Sequence, residues 1–174
     1  MMTLDELKSH IREIPDFPEK GILFRDITTL LKNPNALREA IVHLNRAVYG
    51  IPFDYVLAPE SRGFIFGMPV AYEMDKGFIP VRKKGKLPAE TIAKEYDLEY
   101  GKATIEIHKD ALKPGDKVVI IDDLLATGGT AKAIKELVES TGATVSKFVF
   151  LIELEGLNGK EALGDTPYAS VIKY

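Results

Sequence analysis

Cysteine is absent from the 174-residue chain, which excludes disulfides, cysteine-based zinc sites and thiol nucleophiles. A cysteine-free chain suits the cytosol, and a cytoplasmic location is expected. No stretch approaches the ~20 consecutive apolar residues of a membrane-spanning helix. The opening MMTLDELKSH carries acids without an apolar core, so no secretory signal and no membrane partner are expected. An excess of positive charge is also lacking. With 23 Lys and Arg against 26 Asp and Glu, the net charge of −3 speaks against an electrostatic nucleic-acid binder. The three histidines, His10, His43 and His108, are scattered and form no cluster of metal-ligand spacing. Repeats, low-complexity stretches and linkers are missing as well. One domain over residues 1–174 is therefore expected, long enough to bury roughly two thirds of its unfolded surface.

What the chain does contain is concentrated in Lys117 to Thr130, KVVIIDDLLATGGT. Val118 to Ile121 are apolar without alternation, as in a strand covered on both faces of a parallel sheet. Asp122 and Asp123 fall at its carboxyl end, the edge where open α/β sheets bind ligands. Ala126, Thr127, Gly128, Gly129 and Thr130 then form a small, glycine-rich turn into a helix, whose amides can point at an anion. Neither the Walker A spacing nor Gly-x-Gly-x-x-Gly is present.

Along the rest of the chain, Thr3 and Glu6 have capping-box spacing, and Leu4, Leu7, Ile11 and Ile14 share a helical face that Pro15 should end. Residues 15–28 read as an irregular loop exposing apolar groups. Asn33 and Pro34 open a helix that closes at Gly50. A strand at Phe53–Ala58 runs through Glu60, Ser61, Arg62 and Gly63 into a helix ending near Asp75. A further strand, Phe78–Val81, meets the basic run Arg82, Lys83, Lys84 and Lys86. Residues 89–100 show no clean period and suit a mobile lid before a strand at Thr104–His108. The helix after Thr130 carries Ala133, Ile134, Leu137 and Val138 on one face and closes at Gly142, with strands at Lys147–Leu154 and Tyr168–Ile172 to follow. Strands alternating with helices predict an α/β fold, a mainly parallel sheet flanked by helices on both faces.

The string of four apolar residues, two acids, then Thr-Gly-Gly-Thr resembles the signature of phosphoribosyltransferases that use phosphoribosyl pyrophosphate (PRPP). FPEKGILFRDIT, ESRGF, RKKGKLP and LEYG occur with it in the order seen in adenine phosphoribosyltransferases, covering about Ile14 to Leu154. Lys20, where many members have proline, and Glu60, where some have aspartate, depart from that pattern.

The resemblance implies a type I phosphoribosyltransferase fold with a small base-binding hood, to which residues 1–32 contribute, and a lid. It implies purine salvage, in which adenine and PRPP give AMP and pyrophosphate with magnesium, and a homodimer. Asp122 and Asp123 would hold the ribose hydroxyls and residues 126–130 the 5-phosphate. Glu60, Ser61, Arg62, Gly63, Arg82, Lys83 and Lys86 would take pyrophosphate, with the basic run Arg82, Lys83 and Lys86 open to being supplied partly by the partner subunit and the Glu60-Ser61 peptide cis. Leu23, Phe24, Arg25 and Leu124 would form the adenine site, Glu99 would accept the base proton and Tyr100 would close the lid. No direct protein ligand for magnesium is expected, the ion being held through PRPP and water. The competing readings are an enzyme for 6-oxopurines or xanthine, a regulator that binds PRPP without turnover, and a magnesium phosphatase. The last lacks the Asp-x-Asp spacing.

Overall fold

The computed structural model describes residues 2–97 and 101–174. It divides into two compact units, Met1–His43 and Leu44–Tyr174.

In the first unit, helix α1 (Leu4–Ser9) is followed by strands β1 (Arg12–Pro15) and β2 (Leu23–Asp26), then by α2 (Thr28–Lys32) and the start of α3 (Pro34–Val48). The capping box of Thr3 and Glu6 is formed. The helix does not continue to Ile14, however. It ends at Ser9, and the supposed loop contains half of an antiparallel ribbon, because β1 pairs with β2. The register sets Arg12 opposite Asp26 and Glu13 opposite Arg25, so two ion pairs lace a ribbon that has little apolar pattern of its own. Asn33 caps α3, its Oδ1 accepting from the N–H groups of Asn35 and Ala36 at 3.0 and 3.1 Å.

The second unit contains the end of α3, then β3 (Tyr55–Pro59), α4 (Arg62–Glu73), β4 (Gly77–Lys83), β5 (Thr91–Asp97), β6 (Lys102–His108), β7 (Lys117–Leu125), α5 (Gly129–Glu139), β8 (Thr144–Glu153) and β9 (Tyr168–Lys173). Two short 3-10 turns, Glu155–Leu157 and Gly159–Leu163, precede β9. The seven strands of its sheet run in the order β5-β6-β4-β3-β7-β8-β9. From β4 to β9 the pairing is parallel, and the β5–β6 ribbon adds antiparallel to β4. The α/β class read from the sequence is the observed one.

Val118, Val119, Ile120 and Ile121 are all buried because helices cover both faces of β7. Val118 and Ile120 join the cluster formed with Ile134, Leu137 and Val138 of α5. On the opposite face α4 approaches β3 so closely that a methyl at Gly67 would lie 2.7 Å from Ala58 Cβ.

Residues 91–97 are the second departure from expectation. The segment read as aperiodic is a strand, with Ile92, Lys94 and Tyr96 on its half-buried side. Lys94 breaks the apolar alternation and is held there by Glu136 of α5, 2.6 Å away.

Candidate active site

The carboxyl ends of the parallel strands enclose a cavity of about 620 Å³ within the second unit. From β3 the chain passes through Glu60 and Ser61, joined by a cis peptide bond, into Arg62, the first residue of α4. β4 contributes Arg82 and Lys83. β7 brings Asp122, Asp123 and Leu124, and residues 126–131 continue the wall into α5.

The glycine-rich loop is held by backbone packing. Gly128 has φ +83°, and a methyl there would meet the carbonyl oxygen of Gly159 at 2.4 Å. Reciprocally, a methyl at Gly159 would lie 2.2 Å from the carbonyl oxygen of Ala126. The 3-10 turn is thus a buttress for the loop. Thr130 Oγ1 donates to the Tyr96 hydroxyl at 3.3 Å, linking the start of α5 to β5. A helix that begins at the wall of a cavity presents amides and the positive end of its dipole to an anion.

Beside the loop the two acids are engaged differently. Arg62 Nε lies 2.9 Å from Asp123 Oδ2, while the Asp123 N–H donates to Asp122 Oδ1 at 2.8 Å. Gly63 permits this closeness, since a methyl there would meet Asp122 Oδ1 at 2.9 Å and Pro59 Cδ at 2.8 Å. Burial, reinforced by the charge of Asp123, pushes the Asp122 carboxyl well above the usual aspartate range. Asp123 is also raised by burial, with the Arg62 guanidinium opposing the rise.

Across the cavity the Glu60 carboxylate accepts from Arg82 Nε at 3.0 Å and from the Lys83 N–H at 2.7 Å. Burial alone would lift its pKa, but these two donors outweigh it and hold the carboxyl below the usual glutamate range. Glu60 therefore orients the basic strand end. Lys86 lies in the following turn, and its side chain does not line the cavity.

The remaining candidates fall elsewhere. Leu124 lines the cavity, whereas Leu23, Phe24 and Arg25 form β2 of the first unit. There Phe24 packs edge-on to Phe17, with 5.1 Å between ring centroids, and Arg25 pairs with Glu13. Glu99 and Tyr100 lie outside the described residues. Sequence reasoning passed over Tyr96, Asp97 and Gly159. The first two stand just before the LEYG segment, a usable signal; Gly159 carries none, because its role is the absence of a side chain against a distant carbonyl.

The family model described as phosphoribosyl transferase domain matches residues 26–170. A relative named adenine phosphoribosyltransferase, from Lachnoclostridium phytofermentans, is 58% identical over 171 residues, 98% of each chain. The chain belongs to the adenine phosphoribosyltransferases. Solved structures of that family share its fold. The enzyme from Thermoanaerobacter pseudethanolicus is 55% identical, covers 99% of this chain and 100% of its own, and superposes with a TM-score of 0.96. The adenine phosphoribosyltransferase of Saccharomyces cerevisiae is 40% identical, with a TM-score of 0.89 and 97% coverage of both chains. It was crystallised with adenine and an imino-altritol bisphosphate.

Proposed function

We propose that this cavity is where adenine and PRPP become AMP and pyrophosphate, the purine-salvage reaction of the family to which the chain belongs. The observation that carries the proposal is the meeting of three groups at one cavity: a buttressed anion loop at residues 126–130, the Asp122–Asp123 pair, and the cations Arg62, Arg82 and Lys83. Such a trio suits a sugar that carries phosphate at one end and pyrophosphate at the other.

In this reading the loop amides and Thr127 hold the 5-phosphate, and the acids accept hydrogen bonds from the ribose 2- and 3-hydroxyls. Arg62 turns from Asp123 to pyrophosphate when PRPP arrives, which frees Asp123 for the sugar. The bond from C1 to the pyrophosphate oxygen breaks, the bond from adenine N9 to C1 forms, and the N7 proton passes to Glu99. The carboxylates stabilise the positive charge that develops on the ribose ring. Leu124 contacts the base from the cavity wall, and the adenine-binding role of Leu23, Phe24 and Arg25 rests on the family resemblance alone. Tyr100 helps exclude water.

Among the described residues no group of three or more His, Cys, Asp or Glu could hold a metal ion. Asp122 and Asp123 fit magnesium only as acceptors for its bound waters, the ion entering on PRPP. When bound, it supplies neutralisation of the pyrophosphate charge.

A homodimer is part of the same proposal. Ile65, Met68 and Tyr72, at 37%, 50% and 79% exposure, make an apolar stripe along α4, the helix that begins with Arg62. Light scattering should give twice the chain mass of 19.3 kDa. A cytoplasmic location belongs here too, since PRPP is a highly charged metabolite that does not cross membranes unaided.

The deciding experiment incubates the protein with magnesium, PRPP and, in turn, adenine, hypoxanthine, guanine and xanthine. AMP formation with adenine alone is expected. Turnover of a 6-oxopurine would move the enzyme to another specificity, and PRPP binding without turnover of any base would make it a regulator. Glu99→Gln should lower AMP synthesis roughly 10²- to 10⁴-fold while PRPP binding stays put. Near-native turnover of that variant would remove Glu99 from proton transfer.

A further inference from the structure

A carboxylate that no step above uses lies behind the basic turn after β4. Glu106, in β6, is 4% exposed. Its Oε1 accepts from the N–H groups of Gly85, Lys86 and Leu87 at 3.0, 3.3 and 3.4 Å, and its Oε2 accepts from Thr91 Oγ1 at 3.2 Å. Three successive amides converging on one oxygen is the arrangement that turns use to bind free anions, closed here on an internal one. Gly85, with φ +79°, supplies the left-handed residue that the turn requires.

The neighbouring register shows what this turn is attached to. Glu106 stands opposite Arg82, and Ile105 opposite Lys83, in the β4–β6 pairing. Glu60 grips the Arg82 guanidinium and the Lys83 N–H from the cavity side, while Glu106 grips the amides of residues 85–87 from behind. Lys83, which lines the cavity, lies between the two carboxylates. A solvated basic turn would need neither. Burying a carboxylate is costly unless strong donors satisfy it, and here every donor comes from the turn or from the strand that follows it.

We infer that Glu106 is a positioning residue for the pyrophosphate group: by fixing the backbone from Lys83 to Leu87, it presents Lys83 to the cavity as a preformed cation. It touches neither substrate nor reacting atoms. Its contribution is preorganisation, which lowers the cost of ordering a long, exposed lysine when the anion binds. The inference rests on the reading that this side of the cavity takes pyrophosphate.

The experiment compares Glu106→Ala, Glu106→Gln, Gly85→Ala and Lys83→Ala, measuring KM for PRPP and adenine, inhibition by pyrophosphate, AMP affinity and Tm. Glu106→Ala should weaken PRPP and pyrophosphate about tenfold while adenine and AMP stay within about twofold. Glu106→Gln, which keeps an acceptor oxygen for the amides, should recover most of that loss. Gly85→Ala, with no atom within 4 Å of the new methyl, strains only the turn and should reproduce the selective loss without touching Glu106. That variant tests the inference even where Glu106→Ala fails to fold. Weakening of all four ligands alike in the folded Glu106 and Gly85 variants would reduce Glu106 to a structural group and overturn the inference. So would native PRPP and pyrophosphate binding in those variants while Lys83→Ala loses both. Native pyrophosphate binding in Lys83→Ala would instead overturn the assignment of the basic turn.

Discussion

On the side of the cavity proposed for the 5-phosphate the chain packs backbone against backbone, whereas on the side proposed for pyrophosphate it sets carboxylates against cations. Gly128 and Gly159 approach so closely that neither tolerates a methyl. Across from them Glu60 holds Arg82, Asp123 holds Arg62, and Glu106 holds the amides of residues 85–87. The difference follows the chemistry proposed for each end. A 5-phosphate present in both PRPP and AMP can be met by a fixed cradle. Pyrophosphate must arrive, leave and be replaced, so its cations need partners that hold them in the interval. The phosphate side should then respond to added volume, and the pyrophosphate side to removed charge.

The largest expected effect comes from volume. Gly159→Ala drives a methyl into the carbonyl of Ala126, and the loop must shift by more than an ångström to relieve it. A displacement of that size costs on the order of 10²-fold in catalysis. Both PRPP and AMP should weaken, while pyrophosphate inhibition stays near native. Gly156→Ala is the control, because nothing lies within 4 Å of its added methyl in the same segment. Calorimetry with AMP decides the matter: native affinity in Gly159→Ala would mean the 3-10 turn does not support the loop.

Charge removal on the other side should be smaller and selective. Arg62→Ala deletes charge-assisted hydrogen bonds of about 1.5–3 kcal/mol, so PRPP and pyrophosphate should weaken roughly ten- to a hundredfold. AMP should change little, as it has no pyrophosphate. The substitution also strips Asp123 of the cation that opposes its raised pKa, so the variant should lose stability as pH rises. Equal weakening of all three ligands would dissolve the contrast between the two sides.

How much of this could be read beforehand depended on whether the relevant contacts are near in sequence. β7, the acids and the glycine-rich turn are contiguous, and burial on both faces of a parallel strand removes polar residues from Val118 to Ile121, so strand, sheet type and anion loop were legible together. β1 was not legible, because what pairs it is ions on β2, 12 and 14 residues away, rather than an apolar stripe. β5 was masked by Lys94, which points inward only because Glu136 of α5 meets it. Glu106 reads as an ordinary polar residue in an alternating strand until the turn that wraps it is known. The pairing of Arg62 with Asp123 likewise depends on α4 starting beneath the end of β7.

The smallest effect separates stability from activity at Asp122, whose Oδ1 accepts from the Asp123 N–H. Burial and the charge of Asp123 raise the folded-state pKa of Asp122 above its unfolded value. A carboxyl raised in this way favours the folded state below the unfolded pKa of about 3.9, and that contribution is lost as pH climbs through the folded value. At every pH above the unfolded value this carboxyl therefore contributes less to stability than it does in acid. Asp122→Asn removes the charge at every pH and keeps Oδ1 as acceptor for the Asp123 N–H. Tm at pH 8 should rise by about 2–4 °C, the shift for ~1 kcal/mol in a domain of this size, and the gain should shrink toward pH 4. Turnover should fall about tenfold, because the lost carboxylate no longer faces the cationic ribose. Thermal unfolding across pH, alongside steady-state AMP synthesis, reads both quantities. A gain that grows on acidification, or full activity with the higher Tm, would show that Asp122 is not the charge the site maintains at a cost in stability.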